Sequence, residues 1–200
     1  MLQSVEIVNR WCLRLLKLVC LNFIWMGVTL IGLGVFTIGP ATYAMFSLIR
    51  QWVRGNEDQP LVSTFIRYFK ENYRESVLVS WLLIAGGIIL VVDLLHISSW
   101  YLRVVIWIAV FFYLIAAIYI FPTMVHYNWK SFRLKLKMSF ILGFSHLQYT
   151  LVLIVVISLV TLLVASILPS IVTFFGISVI AYLIMWTANQ VFQRVEQKNI

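Results

Sequence analysis

Three stretches of this chain are too long and too apolar to belong in water. Val104–Met124 carries no charged side chain, Leu147–Thr187 carries none, and Ser76–Leu95 has none before Asp93. A helix needs about 20 consecutive apolar residues to cross about 30 Å of hydrocarbon. Lipid also offers no partner for open backbone groups, so a spanning segment must satisfy them internally. The runs are therefore read as helices. The fold class they define is all-α: a polytopic membrane helix bundle of one domain over 1–200. It has four full spans at about 76–95, 104–124, 147–168 and 171–189, and an N-terminal segment at about 18–38 that either spans or forms a broken hairpin. Short amphipathic helices at the interface are expected at about 41–53, 63–74 and 130–145.

Composition agrees with that class. Hydrophobic residues make up 62% of the chain and charged residues 11%, against about 45–50% and 25% in globular domains. Spans and short connections use up nearly all of the length, so no separate soluble domain is expected. The net charge of +8 lies in the stretches flanking the spans, where Lys and Arg set topology and meet anionic lipid. Nucleic-acid binding is not expected. Cys12 and Cys20 stand eight residues apart, a spacing of neither a CxxC redox pair nor a zinc site. The first apolar stretch exceeds a signal-peptide core, so it is expected to remain as an anchor.

Arg10, Arg14 and Lys17 recur at helical spacing on a segment that should continue unbroken into Leu18–Ile31. Gly32–Pro40 then interrupts it, and Pro40 suits the first turn of a new helix. Ala41–Val53 would be about 20 Å long as a helix, too short to cross alone. Two arrangements follow. If 18–38 spans and 41–53 lies on the surface, the N-terminus is outside, and Arg10, Arg14, Lys17 and Arg103 are the outer cations. If the chain dips in and returns, both ends share one side and only Arg103 of the 15 Lys and Arg lies outside. Positive-inside reasoning favours the second arrangement and segment length the first. In both, the C-terminus is cytoplasmic.

After the polar turn at Arg54–Pro60, Ser63–Arg74 places Phe65, Phe69 and Tyr73 on one helical face and Arg67, Lys70, Glu71 and Arg74 around the other. Such a helix would lie in the interface. Lys130, Arg133 and Lys137 share a face of the second basic stretch. The order of basic helix followed by span occurs twice, which is compatible with duplication or with plain alternation of interface and core.

Reaction chemistry is absent from these patterns. No Ser–His–Asp order, phosphate loop or HExxH motif occurs, so no catalytic residue, metal ligand or cofactor is assigned and no enzymatic activity is expected. The four later spans carry no ionisable residue in their middle thirds, whereas ion-coupled transporters usually do. Asp93 and Arg103 are expected to close the outer turn as an ion pair, and Asn22 to bond a neighbouring helix. His96, His126 and His146 read as interface residues. Trp52, Trp100 and Trp129 border the spans as an aromatic belt.

Thr37-Ile38-Gly39-Pro40-Ala41-Thr42-Tyr43-Ala44, then Arg54-Gly55-Asn56-Glu57, then Phe65, Phe69, Lys70, Glu71, Asn72 and Tyr73 resemble the YesL family of small bacterial membrane proteins. The likeness covers the N-terminal half, and beyond about residue 95 it rests on span order. Members accompany sugar-uptake and polysaccharide-utilisation systems in Gram-positive bacteria. The resemblance therefore implies a bacterial plasma-membrane accessory to carbohydrate uptake or its regulation, touching the lipid bilayer and a sugar permease or sensor. A small transporter acting as a homo-oligomer is the other reading. The resemblance supplies no catalytic residue. It directs attention to Gly39 and Pro40 as a kink, and to Phe65, Phe69, Lys70 and Tyr73, together with Lys130, Arg133 and Lys137, as a partner or lipid interface.

Overall fold

The computed structural model describes residues 2–56, 59–127, 132–167 and 169–198, excluding the side chains of 2–8, 10–11, 132, 165, 167, 169–174 and 198. Its elements are all helical: α1 (Leu2–Ile31), α2 (Ile38–Val53), α3 (Leu61–Glu71), α4 (Tyr73–His96), α5 (Trp100–His126), α6 (Phe132–Ser145), α7 (Leu147–Ile167) and α8 (Pro169–Lys198). Five stretches are long and apolar enough to cross a membrane: Cys12–Ile31, Tyr73–His96, Trp100–His126, Leu147–Val164 and Phe175–Gln197. Much of their outer surface is bare hydrocarbon. Leu82, Ile89, Leu95, Val105 and Leu162 are each more than half exposed, a surface that water-soluble monomers rarely present as large continuous patches.

The amphipathic N-terminal segment runs without interruption into the apolar half of α1. The chain then turns back at 32–37. Gly34 has φ +65°, in the left-handed region where a Cβ is penalised. Leu33 beside it adopts φ +59°, and its side chain is exposed. Hydrogen bonds satisfy this turn from within. Gly34 N–H reaches the Thr29 carbonyl at 2.8 Å, Ile38 N–H the Gly34 carbonyl at 2.9 Å, and Thr37 Oγ1 the Thr29 carbonyl at 3.2 Å. Trp81, two turns inside α4, donates Nε1 to the Val35 carbonyl (3.1 Å), and the Phe36 and Trp81 rings lie 5.7 Å apart. The turn therefore sits beside the interior of α4, where lipid would leave unpaired backbone polar groups without partners. Trp25 Nε1 donates to Thr42 Oγ1 (3.2 Å), so α2 runs back along α1, in the manner of the broken-hairpin arrangement.

The helix expected on the surface at 41–53 is instead the most enclosed element. Gly39, Pro40, Ala41 and every residue from Tyr43 to Ile49 are buried, between α1, α4, α5 and α8. Neighbouring helices shield its short length from lipid, which the sequence pattern of an isolated amphipathic stretch does not reveal. Its core partners include Leu21, Phe65, Val79, Phe121 and Met185, and Phe46 stacks on Phe121 with ring centroids 5.9 Å apart.

α6, expected as a surface helix, folds back along α5. A Cβ on Gly143 would overlap Ile115 and stand 3.0 Å from Tyr119 Cδ2, and Phe144 stacks on Phe112 at 6.3 Å. A second cluster of Ile115, Tyr119, Leu142, Ala188, Val191 and Phe192 joins α5, α6 and α8. The last helix begins at Pro169, two residues before the expected 171, with proline in the first turn where its missing N–H costs nothing.

Candidate functional site

These connections bring one end of the bundle together: the C-terminal ends of α2, α5 and α8 and the first turns of α4 and α6. It is the end that holds most of the basic residues. Arg50 and Arg54, one turn apart on α2, both face the end of α5. Arg50 Nη2 donates to the His126 carbonyl (3.4 Å) and Arg54 Nη2 lies 3.4 Å from His126 Nδ1. On the other side of the ring, His126 Nε2 is 3.0 Å from Glu196 Oε1. A guanidinium can only donate, so Nδ1 is the acceptor and the ring proton belongs on Nε2, where the carboxylate accepts it. The imidazole is further held against Phe192 (4.4 Å) and Tyr127 (4.6 Å). Burial, and then the neighbouring Arg54 charge, lower the Arg50 pKa from its ordinary value. Gln51 Nε2 donates to the Tyr68 hydroxyl, tying α3 to the same end.

A second polar pair lies deeper. Lys135 Nζ donates to both oxygens of Glu75, at 2.8 and 2.7 Å, with only 4% of the lysine side chain and 24% of the glutamate exposed. This bidentate pair fixes α6 to the first turn of α4. Nearby, Asn72 caps the α3–α4 junction and donates Nδ2 to the Tyr43 hydroxyl (2.9 Å).

The residues singled out from sequence separate into two groups. Gly39 and Pro40 lie in the first turn of α2, after the reversal at 32–37. Gly39 is a close-approach position: a Cβ there would overlap the Ser76 carbonyl oxygen and stand 2.6 Å from Ser80 Oγ. Phe65 is fully buried in the core, so it does not face lipid or a partner as expected. Its helix turns this face onto α2, where Phe65 joins the core cluster with Tyr43 and Phe46 and is removed from both water and lipid. Phe69 is half-buried and meets Tyr73 edge-on at 5.6 Å. Lys70, Tyr73, Arg133 and Lys137 are exposed. Lys130 and Trp129 lie outside the described residues. Trp52 is half-buried against the core, while Trp100 is 71% exposed. The outer turn is closed by Arg103 Nη2 on the Ile97 carbonyl (3.1 Å), not by the expected pair with Asp93. Ile97 is the C-cap of α4, so its carbonyl has no intrahelical partner and is open to this donor. Asn22 is buried and donates Nδ2 to Met26 Sδ (3.7 Å) in its own helix.

Sequence reasoning missed Glu75, Lys135, Arg50, Arg54, His126 and Glu196 as a set. A usable signal was present: only 7 acidic residues face 15 Lys and Arg, so an acid next to an apolar helix is a scarce partner for a cation. Among the described residues no cluster of three His, Cys, Asp or Glu could hold a metal ion. The inner polar groups bond to one another and work as clamps, while Lys70, Arg133 and Lys137 point outward.

Helix lengths, apolar outer surfaces and polar ends define a multi-pass integral membrane protein. The family described as "Protein of unknown function, DUF624" matches residues 18–94. "Uncharacterized protein YteU" of Bacillus subtilis (strain 168) is 36% identical over 193 residues, covering 94% of this chain and 86% of that protein. "Uncharacterized protein YesL" of the same organism is 34% identical over 148 residues, covering 72% and 70%. "Uncharacterized protein YesV" is 26% identical over 194 residues, covering 94% and 92%. The chain belongs to this YesL-like DUF624 family. The likeness to YteU reaches well past residue 95, where the sequence resemblance had rested on span order alone. No solved structure matches.

Proposed function

We propose that this protein is a non-enzymatic accessory of carbohydrate uptake in a bacterial plasma membrane, docking a sugar permease or a sensor at its basic end, which faces the cytoplasm. One observation carries the reading: the polar groups inside this end are tied to each other, whereas Lys70 stands exposed on α3, held by Gln51–Tyr68, and Arg133 and Lys137 on α6, held by Glu75–Lys135. Such an arrangement offers a rigid cationic face, suited to an acidic partner surface and to anionic lipid. The accompaniment of sugar-uptake systems by YesL-family members supports the choice of partner. Cytoplasmic orientation follows from the positive-inside rule, since Arg103 is the one cation assigned to the opposite end.

Co-purification from the native membrane in mild detergent tests this reading. A permease or sensor subunit should accompany the wild type, and exchanging Lys70, Arg133 and Lys137 for Glu should release it while the helical content stays unchanged. Partner-free protein that moves a sugar across liposomes would favour the transporter reading instead. The break at 32–37 beside the interior of α4 supports that second reading, because broken helices line the paths of many transporters.

A further inference from the structure

A single residue, His146, separates α6 from α7. Its carbonyl accepts the N–H groups of Tyr149 (3.0 Å) and Thr150 (3.3 Å), and Thr150 Oγ1 donates to the Gly143 carbonyl (3.2 Å). The elbow fixed in this way lies beside the C-terminal end of α8. Between them is a cavity of about 630 Å³ lined by Ser145, His146, Gln148, Tyr149, Arg194 and Gln197. Other cavities, between Val160 and Phe175, beside Gly87 and Tyr113, and beside Phe112 and Phe144, have apolar walls. This one is polar.

Among the described lining residues the permanent charge is that of Arg194. Arg194 holds its guanidinium carbon 4.9 Å over the Tyr149 ring, a contact with the ring face that consumes no N–H donor on a protein acceptor. No carboxylate lines the cavity among the described residues. The nearest in sequence, Glu196, is bonded to His126. The His146 carbonyl takes the Tyr149 and Thr150 N–H groups, so the first turn of α7 adds those of Leu147 and Gln148, at the positive end of its dipole. Gln148, Gln197 and Ser145 supply neutral donors and acceptors around this charge.

We infer that the α6–α7 elbow binds a phosphate ester, with the oxyanion on Arg194 and the start of α7 and the esterified polar group between Gln148 and Gln197. The charge, the donor set and a volume larger than a bare phosphate needs all point to that chemistry. Two sources fit the position at the basic end: the headgroup of an anionic phospholipid in the adjacent leaflet, or a phosphorylated small molecule in solution. The site is separate from the docking face and does not depend on it.

The test uses the full chain in neutral detergent with two probes, phosphatidylglycerol in the micelle and glucose 6-phosphate in solution, followed by native mass spectrometry and thermal shift. At least one probe should bind saturably. Arg194→Gln should weaken it about tenfold, the loss expected for one charge-assisted hydrogen bond, and Arg103→Gln at the other end should leave it unchanged. Binding of phosphatidylglycerol alone identifies the lipid source, and binding of glucose 6-phosphate alone the soluble one. If Arg194→Gln does not fold, Gln148→Glu replaces it: the new carboxylate leaves the Arg194–Tyr149 stack intact, favours the helix N-terminus, and should abolish binding by repulsion. Saturable binding of neither probe, or equal binding by the wild type and the folded variants, overturns the inference.

Discussion

Glycines in this bundle differ by what surrounds them. Gly39 lets α2 approach α4 until no room remains for a methyl group against the Ser76 carbonyl. Gly27, inside α1, has nothing within 4 Å of where its Cβ would stand. Gly39→Ala should therefore lower stability by about 2 kcal/mol through overpacking. Gly27→Ala should raise it by about 0.5 kcal/mol, because alanine is the better helix former. Unfolding in detergent, followed by circular dichroism, compares the two. Equal effects would mean that α2 and α4 are not in close contact at Gly39. The TIGP segment stood out in the sequence as a kink, but spacing alone does not distinguish a residue that bends the chain from one that lets two helices touch. The bend itself belongs to Leu33 and Gly34, whose positive φ values satisfy the turn.

At the scale of elements, the spans were legible because hydrocarbon thickness sets their length, and no tertiary contact is needed to read that. The shorter helices were not. α2 and α3 carry patterns that an interfacial helix would also carry, and only their mutual packing decides which apolar face meets protein and which meets lipid. Phe65, buried between them, is the residue where the two readings differ most. The Glu75–Lys135 pair was hidden for a related reason: along Phe132–Met138 basic residues alternate with apolar ones, and nothing local marks Lys135 as the one turned inward. Removing either partner alone, with Glu75→Leu or Lys135→Met, should cost about 3 kcal/mol by leaving a charge buried without its counterpart. The double variant Glu75→Leu/Lys135→Met should recover most of that loss. A double-mutant cycle on thermal unfolding measures the coupling. Purely additive losses would mean that the pair does not hold α6 to α4.

For the whole molecule, the two topologies differ at the fold-back at 32–37. With α1 and α2 as a re-entering pair beside four full spans, both chain ends would lie on the side of the basic helices and Arg103 on the other. Positive-inside reasoning favours this arrangement, and the turn packs against Trp81 as it requires. Segment length favoured the opposite one only because α2 was counted without the neighbours that shield it. Single cysteines introduced at Gln3, Asn56, Ser98 and Gln197, in a chain whose Cys12 and Cys20 have been replaced by Ser, give the most direct test in intact cells. The account predicts that a membrane-impermeant maleimide labels Ser98→Cys at once and labels the other three only after the membrane is opened. Labelling of Gln3→Cys together with Ser98→Cys in unopened cells would contradict it, since α1 would then cross the bilayer completely and the chain could not return at Gly34.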